Sequence, residues 1–497
     1  MKNKIISSVS SQIIYILVSA MIGLALVPIT INMLGKIEYG AFELILSLIL
    51  IDTFLEFGLG SSLVKYIPEF KHDIEKLKVF TWSYYYIKLS LSLIGLLVVS
   101  LIGYYFDSVF NLTNITNIQD IKTATYIFGF GLIISGSATF LDNFLKGFVY
   151  FGLTNTTRIF SIILFFLVFY IYYKFNTYYS IVYIALIWFI IKPLILLTLN
   201  ISLVCYLKLN YILKPISFNL ESIHSTLKYM FGMTYIVMVA QLYNKLPKII
   251  IGIFLNPTAV AYWGIMEKIK EPLGQLEGSM IRPLIPILSD KQNIVNMSEK
   301  KIYQAIRLQY FFMSFLAIIT IVNIDLFIQL WLGNGYETVS NLVKIILLPL
   351  LFPKSGILLM MYYAKGKTKI NSNFVTLNTL ATIFIGTIVL TTTNDLEYFA
   401  WTSSIVLIIM TSLNIIKYID YFKLLKVRFL KDTVISPLLV IFSYYFTSVY
   451  VLNFTNQTLN GLLINILISI LVYIILFLIF MKQEDKKILI NLMRKRK

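Results

Sequence analysis

Ionisable side chains recur at helical spacing inside stretches that are otherwise apolar. Thr234, Gln241, Asn244, Lys245 and Lys248 fall on one side of a helix. Glu267, Lys270, Glu271, Gly274, Glu277, Gly278 and Arg282 form a stripe on the next, with Lys268 beside it. Asp52, Glu56 and Gly60 follow at four-residue steps, as do Ser135, Thr139, Asp142 and Lys146 at near-helical steps; Lys192 and Lys354 each adjoin a proline. A charge facing lipid costs about 2.5–3.5 kcal/mol on insertion scales, so several on one face imply a wet or protein-lined interior. The chemistry open to this set is electrostatic. Gln241, Asn244, Lys245, Lys248, Lys268, Lys270, Arg282, Lys192 and Lys354 are the candidates for lining a substrate cavity. Asp52, Glu56, Asp142, Glu267 and Glu271 are the candidates for ion coupling. The competing reading is internal pairing, of Glu267 with Lys270, Glu271 with Lys268 and Asp142 with Lys146, with Lys88, Lys146 and Arg282 snorkelling from helix ends. Deep bases slightly outnumber deep acids, which permits an anionic substrate without requiring one.

The elements that must position these residues are membrane spans. Of 497 residues 58% are hydrophobic and only 13% charged, about half the charged share of a soluble domain; mean hydropathy is +0.81. Stretches near 20 apolar residues, long enough for a hydrocarbon core of about 30 Å, repeat almost end to end. The expected spans are 10–34, 42–64, 83–106, 123–146, 157–174, 179–205, 229–254, 258–288, 309–332, 340–363, 372–392, 397–417, 434–452 and 460–481. Asn256-Pro257 suits a tight turn between two of them.

Charge orients these spans. Roughly thirty Lys and Arg fall in one alternate set of connectors and about four in the other, which under the positive-inside rule places both termini in the cytoplasm and favours an even number of spans. The net charge of +18 therefore reads as topology, and no nucleic-acid partner is expected. The only cysteine, Cys205, cannot form an internal disulfide; His72 and His224 fall in connectors, so neither a metal site nor histidine catalysis is expected. The fold class expected is all-α and polytopic, with about 14 transmembrane helices in two six-helix lobes plus two C-terminal helices. The lobes are 1–206 and 229–418, joined by a cytoplasmic connector at 207–228, with the two further helices and a basic tail in 419–497. Such duplication is common in transporters.

Short motifs fall in order along most of the chain: Pro28, Leu34-Gly35 and Glu38-Tyr39-Gly40; Gly58-Leu59-Gly60-Ser61-Ser62-Leu63-Val64-Lys65-Tyr66; Gly252-Ile253-Phe254-Leu255 with Val260-Ala261-Tyr262; Pro286-Ile287-Leu288-Ser289; Leu330-Trp331-Leu332-Gly333; and Ala364-Lys365-Gly366-Lys367. With the helix count, they make the chain resemble the bacterial polysaccharide (O-antigen, Wzx-type) flippases of the MATE-like multidrug/oligosaccharidyl-lipid/polysaccharide exporter superfamily. The resemblance implies a V-shaped bundle and export of an undecaprenyl-pyrophosphate-linked oligosaccharide across the inner membrane. Many relatives carry an Asp near the position of Pro247; this chain has none there, so coupling through such an acid would fall to Asp52 or Glu56.

The function expected is a flippase that moves a polyprenyl-pyrophosphate-linked oligosaccharide, an O-antigen or capsule/exopolysaccharide repeat unit, by alternating access. A multidrug or cation exporter of the same fold would rely more on the acids. A membrane glycosyltransferase or polymerase would need catalytic acids or a sizeable external loop, whereas Asp107, Asp120, Asp395 and Glu397 are scattered in short connectors. No catalytic constellation and no Walker glycine loop occurs, so no enzyme activity and no cofactor is expected; a proton or sodium gradient is the candidate driving force. The partners expected are the lipid-linked oligosaccharide, membrane lipid and polysaccharide assembly proteins.

Overall fold

The structure, a computed structural model, describes residues 2–113, 115, 117–212, 218–219, 221–281, 299–353, 356–364, 368–421, 424–452 and 458–480. No strand occurs among them, as expected where each spanning segment must satisfy its own backbone polar groups. Contacts group the chain into two compact units, Met1–Lys268 and Ile269–Lys497, each described by itself. The boundary falls within one helix. It is a grouping of contacts and is distinct from the lobe division drawn from hydropathy.

The first unit opens with α1 (Lys2–Ser47), bent where Gly35 takes φ 75°, a left-handed conformation that a side chain would strain. This bend falls between the first two expected spans, 10–34 and 42–64. The expected second span is then broken again. α2 (Ile49–Leu55) and α3 (Leu59–Phe70) flank Phe57 and Gly58, both at positive φ (46° and 65°). Periodicity could not show this break, because the apolar pattern runs through it. α4 (Ile74–Tyr104) starts on Asp73, whose side chain accepts from the Lys76 amide at 3.1 Å. A short α5 (Phe106–Val109) precedes α6 (Ile118–Gly147), capped by Asn117, and α7 (Phe151–Phe175). α8 (Ile181–Leu186) continues through a π-helical turn, Ile187–Ile191, into α9 (Lys192–Tyr206). Pro193 supplies the cause, since it lacks an N–H and crowds the carbonyl four residues back. That carbonyl, of Phe189, lies where a Cβ on Gly131 of α6 would be.

α10 (Glu221–Phe254) begins well before the expected span, inside the stretch read as a connector. α11 (Pro257–Ile281) begins with proline at its first position and Asn256 as cap, Oδ1 accepting from the Ala259 amide at 2.9 Å; this is the tight turn expected there. Gly40 leaves no room for a Cβ against the Pro257 carbonyl, so α1 just past its bend meets the start of α11 backbone to backbone. Phe80, Tyr84, Phe144, Leu145 and Ile67 fill a core where α3, α4 and α6 converge.

The second unit contains α12 (Glu299–Leu332), α13 (Glu337–Leu347), α14 (Gly356–Ala364), α15 (Thr368–Thr393), α16 (Leu396–Tyr421), the short α17 (Lys426–Phe429), α18 (Ile435–Leu452) and α19 (Leu459–Phe480). Its core packs Tyr303, Tyr310, Phe311, Tyr418, Tyr444 and Tyr473. Two of these tyrosine hydroxyls find carbonyl partners inside the bundle: Tyr473 donates to the Phe311 carbonyl at 2.8 Å and Tyr310 to that of Leu351 at 2.6 Å. Arg307, read from sequence as a connector residue, is buried within α12.

Ten helices among the described residues are long and apolar enough to cross a membrane. The chain is a multi-pass membrane protein. Four expected spans fall outside that count as separate helices, each for a physical reason. The second is continuous with the first in Ser10–Leu55. The eighth carries too many charges. The tenth is interrupted by a 3-10 turn at Leu348–Leu351 with Pro349 in it. The thirteenth is apolar enough over the shorter Ile435–Phe446.

Candidate functional site

The densest charge cluster of the first unit is built on three helices. Lys248 of α10, 3% exposed, donates to Glu43 Oε2 of α1 at 2.5 Å and lies 2.8 Å from Glu267 Oε2 of α11. Glu43 also accepts from the Tyr39 hydroxyl at 2.9 Å, and Lys268 stands 3.4 Å from its Oε1. Glu267 accepts from the Trp263 indole at 3.1 Å, with Lys245 at 3.9 Å. Gly264 makes the arrangement possible, since a Cβ there would sit 2.8 Å from the Glu43 carboxyl carbon. The cavity beside the cluster holds about 20 Å3 and is lined in part by Gly23, Thr30, Tyr39, Glu43, Trp188 and Lys268; that is room for about one water.

Lys192 stands apart from this pairing. Its ammonium lies 4.5 Å from the Trp188 ring and 5.1 Å from the Phe165 ring, and among the described residues no carboxylate pairs with it. Aromatic faces attract a cation, by about 0.5–2 kcal/mol, but do not neutralise it. Lys192, Lys245, Lys248 and Lys268 against Glu43 and Glu267 leave an excess of positive charge in this part of the unit.

A second polar region surrounds the break between α2 and α3. Asp52 accepts from Lys88 at 2.9 Å. Lys88 is therefore not a snorkelling residue: its side chain is 6% exposed. Glu56 is half-buried at the break and forms no ion pair among the described residues. Its carboxyl sits against Gly60, where a Cβ would come within 2.6 Å of Oε1 and would clash with the Asn143 amide. Asp52, Lys88 and Lys146 are the charged groups acting on it.

Asp142 forms a third group. The expected pair with Lys146 is present at 2.6 Å, and Arg158 adds two bonds, Nε to Oδ1 at 3.1 Å and Nη2 to Oδ2 at 2.5 Å. The guanidinium also rests 5.8 Å from the Tyr15 ring. A carboxylate held this way by two cations and 1% exposed is a structural tie.

The structure thus brings Lys245, Lys248, Glu267 and Lys268 together and places Lys192 in the same unit. Glu267 pairs with Lys248 on the neighbouring helix. Gln241 is half-buried and Asn244 is exposed, its amide bonded to its own helix at Ala240. Lys270 and Glu271 follow on α11, half-buried and exposed respectively. Arg282 and Lys354 lie outside the described residues. Sequence reasoning missed Glu43. Its signal was present, an acid four residues after Tyr39, but it sits at the edge of an expected span, where a charge needs no explanation.

Residues 5–292 match the profile of a family described as "Polysaccharide biosynthesis protein". No curated protein matches the chain. Among solved structures, the fold is similar to that of lipid II flippase MurJ in an inward closed conformation, with 19% identity, TM-score 0.69, and coverage of 94% of this chain and 98% of that one. It is also similar to an inward-facing multidrug resistance MATE family transporter of the MOP superfamily, with 12% identity, TM-score 0.63, and coverage of 83% and 94%. A MOP superfamily transporter from Pyrococcus furiosus matches at 12% identity and TM-score 0.53, with coverage of 85% and 96%.

Proposed function

We propose that this chain, which belongs to the polysaccharide biosynthesis protein family, flips a polyprenyl-pyrophosphate-linked oligosaccharide, such as an O-antigen or capsule repeat unit, across the bacterial inner membrane by alternating access, with both termini cytoplasmic. The observation that carries this reading is the surplus of lysine in the first unit, above all Lys192, which has aromatic rings beside it and, among the described residues, no carboxylate. A phosphate would supply the missing counter-charge, met by lysine as a point charge. The similarity of fold to a lipid II flippase supports the same substrate class.

Lys248 has a different task in this reading. Held by two glutamates, it ties three helices together, while Lys192 and the more exposed Lys268 are the residues left to meet the substrate. The driving force is assigned to Glu56. It is an acid without an ion pair, set at a helix break whose residues could absorb a change in backbone angle on protonation or cation binding.

The test is transport of a defined polyprenyl-pyrophosphate sugar into proteoliposomes, with and without proton and sodium gradients. Lys192→Ala and Lys268→Ala should each lower the rate about tenfold, the factor given by about 1.4 kcal/mol, and Lys192→Arg should retain most of it. Unchanged rates in the double variant at equal reconstitution would end the electrostatic reading. The acids Asp52 and Glu56 favour a second reading, a cation or drug exporter. Drug resistance on overexpression, without rescue of a flippase-null strain, would select it.

A further inference from the structure

A second cavity of the first unit shares no lining residue with the one beside Lys248. It holds about 250 Å3 and opens between α4, α6 and α9, with walls of Trp82, Tyr85, Phe140, Leu141, Leu197 and Ile201. Two of its lining residues hold polar atoms that find no partner, the Trp82 indole nitrogen and the Thr81 hydroxyl. Buried donors without a partner are rare and each calls for an explanation. Tyr85 stiffens the wall through a hydrogen bond between its hydroxyl and that of Ser137 at 3.3 Å and through the Phe140 ring 5.0 Å away.

The depth of this cavity is informative. Trp82 lies about 12 Å along α4 from its first residue, and Ile201 about 8 Å from the last residue of α9, at 1.5 Å per residue. Phe140 and Leu141 are similarly near the end of α6. The start of α4 and the end of α6 share one side of the bundle, as the Tyr85–Phe140 contact requires, and the shared cavity brings Leu197 and Ile201 of α9 to the same side. The cavity therefore sits where acyl chains meet the polar interface, the level at which tryptophan is enriched. The same end carries the exposed Lys65, Lys71, Lys76 and Lys208 against the exposed Glu69, Asp73 and Glu75, and juxtamembrane lysines in such an excess attract anionic lipid.

We propose that this cavity is a binding site for an anionic phospholipid. One acyl chain would enter between the aromatic walls. An ester carbonyl at the chain's head would accept from the Trp82 indole or the Thr81 hydroxyl, each sealed in this structure and brought to the cavity by a turn of its side chain, and the lysines would face the headgroup phosphate. The site is separate from the lysine-rich region of the flippase reading and does not depend on it.

The test uses the full chain in nanodiscs of phosphatidylglycerol or of phosphatidylcholine, each doped with its own photoactivatable acyl-chain analogue, followed by peptide mapping. Labelling should concentrate on the segments bearing Trp82, Phe140 and Leu197, and should be stronger with phosphatidylglycerol. Leu197→Trp, which fills the cavity, should lower labelling there about tenfold, a loss of one decade in occupancy. Trp82→Phe, which keeps the ring and removes the donor, should lower it less; its circular dichroism and melting temperature confirm folding if Leu197→Trp does not fold. Labelling spread evenly over the lipid-facing surface, or unaffected by either variant, would overturn the site. So would displacement of the probe by a polyprenyl phosphate but not by excess phosphatidylglycerol, which would assign the cavity to an isoprenoid chain.

Discussion

The first unit holds two polar regions that differ in one respect: whether each charge has been answered. Around Lys248, both acids and the central base are paired, buried and hydrogen-bonded to Tyr39 and Trp263. Around the break at Phe57 and Gly58, Asp52 is paired with Lys88 while Glu56 forms no ion pair among the described residues. A closed cluster of this kind is hard to perturb by protons or ions without breaking the packing of three helices. An acid left open beside irregular backbone can change its charge state at much smaller structural cost. Ionisable residues at membrane depth therefore do not form one class. In the proposed reading Lys248 and Asp142 are ties, and Glu56 and Lys192 are the residues left to respond.

The strongest challenge to this contrast is Glu43→Ala. It leaves Lys248 buried with one carboxylate fewer, and losing a partner of a buried ion pair costs about 3–5 kcal/mol. Denaturant unfolding in detergent should show a loss of that order, and adding Lys248→Met should recover part of it. Parental stability in the single variant would mean that the cluster is not a tie. Next in size is Gly264→Ala, which drives a methyl group against the Glu43 side chain and should cost about 1–3 kcal/mol. Its control is Gly274→Ala, where a Cβ meets nothing within 4 Å and a helix interior gains from alanine.

Glu56→Gln sharpens the contrast from the other side. With no ion pair to break, it should change stability by less than about 1 kcal/mol, yet remove the dependence of transport on a cation gradient. A variant that still responds to the gradient would move coupling elsewhere. The smallest effect is expected outside the spans. The hydrogen bond from Lys122, 2.8 Å away, holds the Asp107 carboxyl below the usual carboxylate range. A lowered folded-state pKa gives a contribution present above the ordinary value of about 3.9 and lost as pH falls below it. The site is open to water, so Asp107→Asn should lower the melting temperature only slightly from pH 5 to 8, and the difference from the parent should vanish in acid.

Much of this was legible in the chain. Each spanning helix satisfies its own backbone within one segment, so length and apolarity reveal it locally; Asn256-Pro257 marks a turn, and the pairing of Asp142 with Lys146, the alternative to a coupling role for Asp142, is visible because both lie four residues apart on one helix. The break at Phe57 and Gly58 escaped because backbone dihedrals leave no trace in hydropathy. Lys88 looked like a snorkelling residue because its position along the helix shows depth and not neighbours.

The sequence by itself determined that the chain crosses the membrane many times, which side its basic connectors favour, and that charged groups lie deep within it. Those are properties of single segments and of their order. Only the tertiary structure decided which charges are neutralised, because Glu43 and Lys248 are 205 residues apart and reach each other only when α1 and α10 pack together, with Gly264 of α11 leaving the space between them.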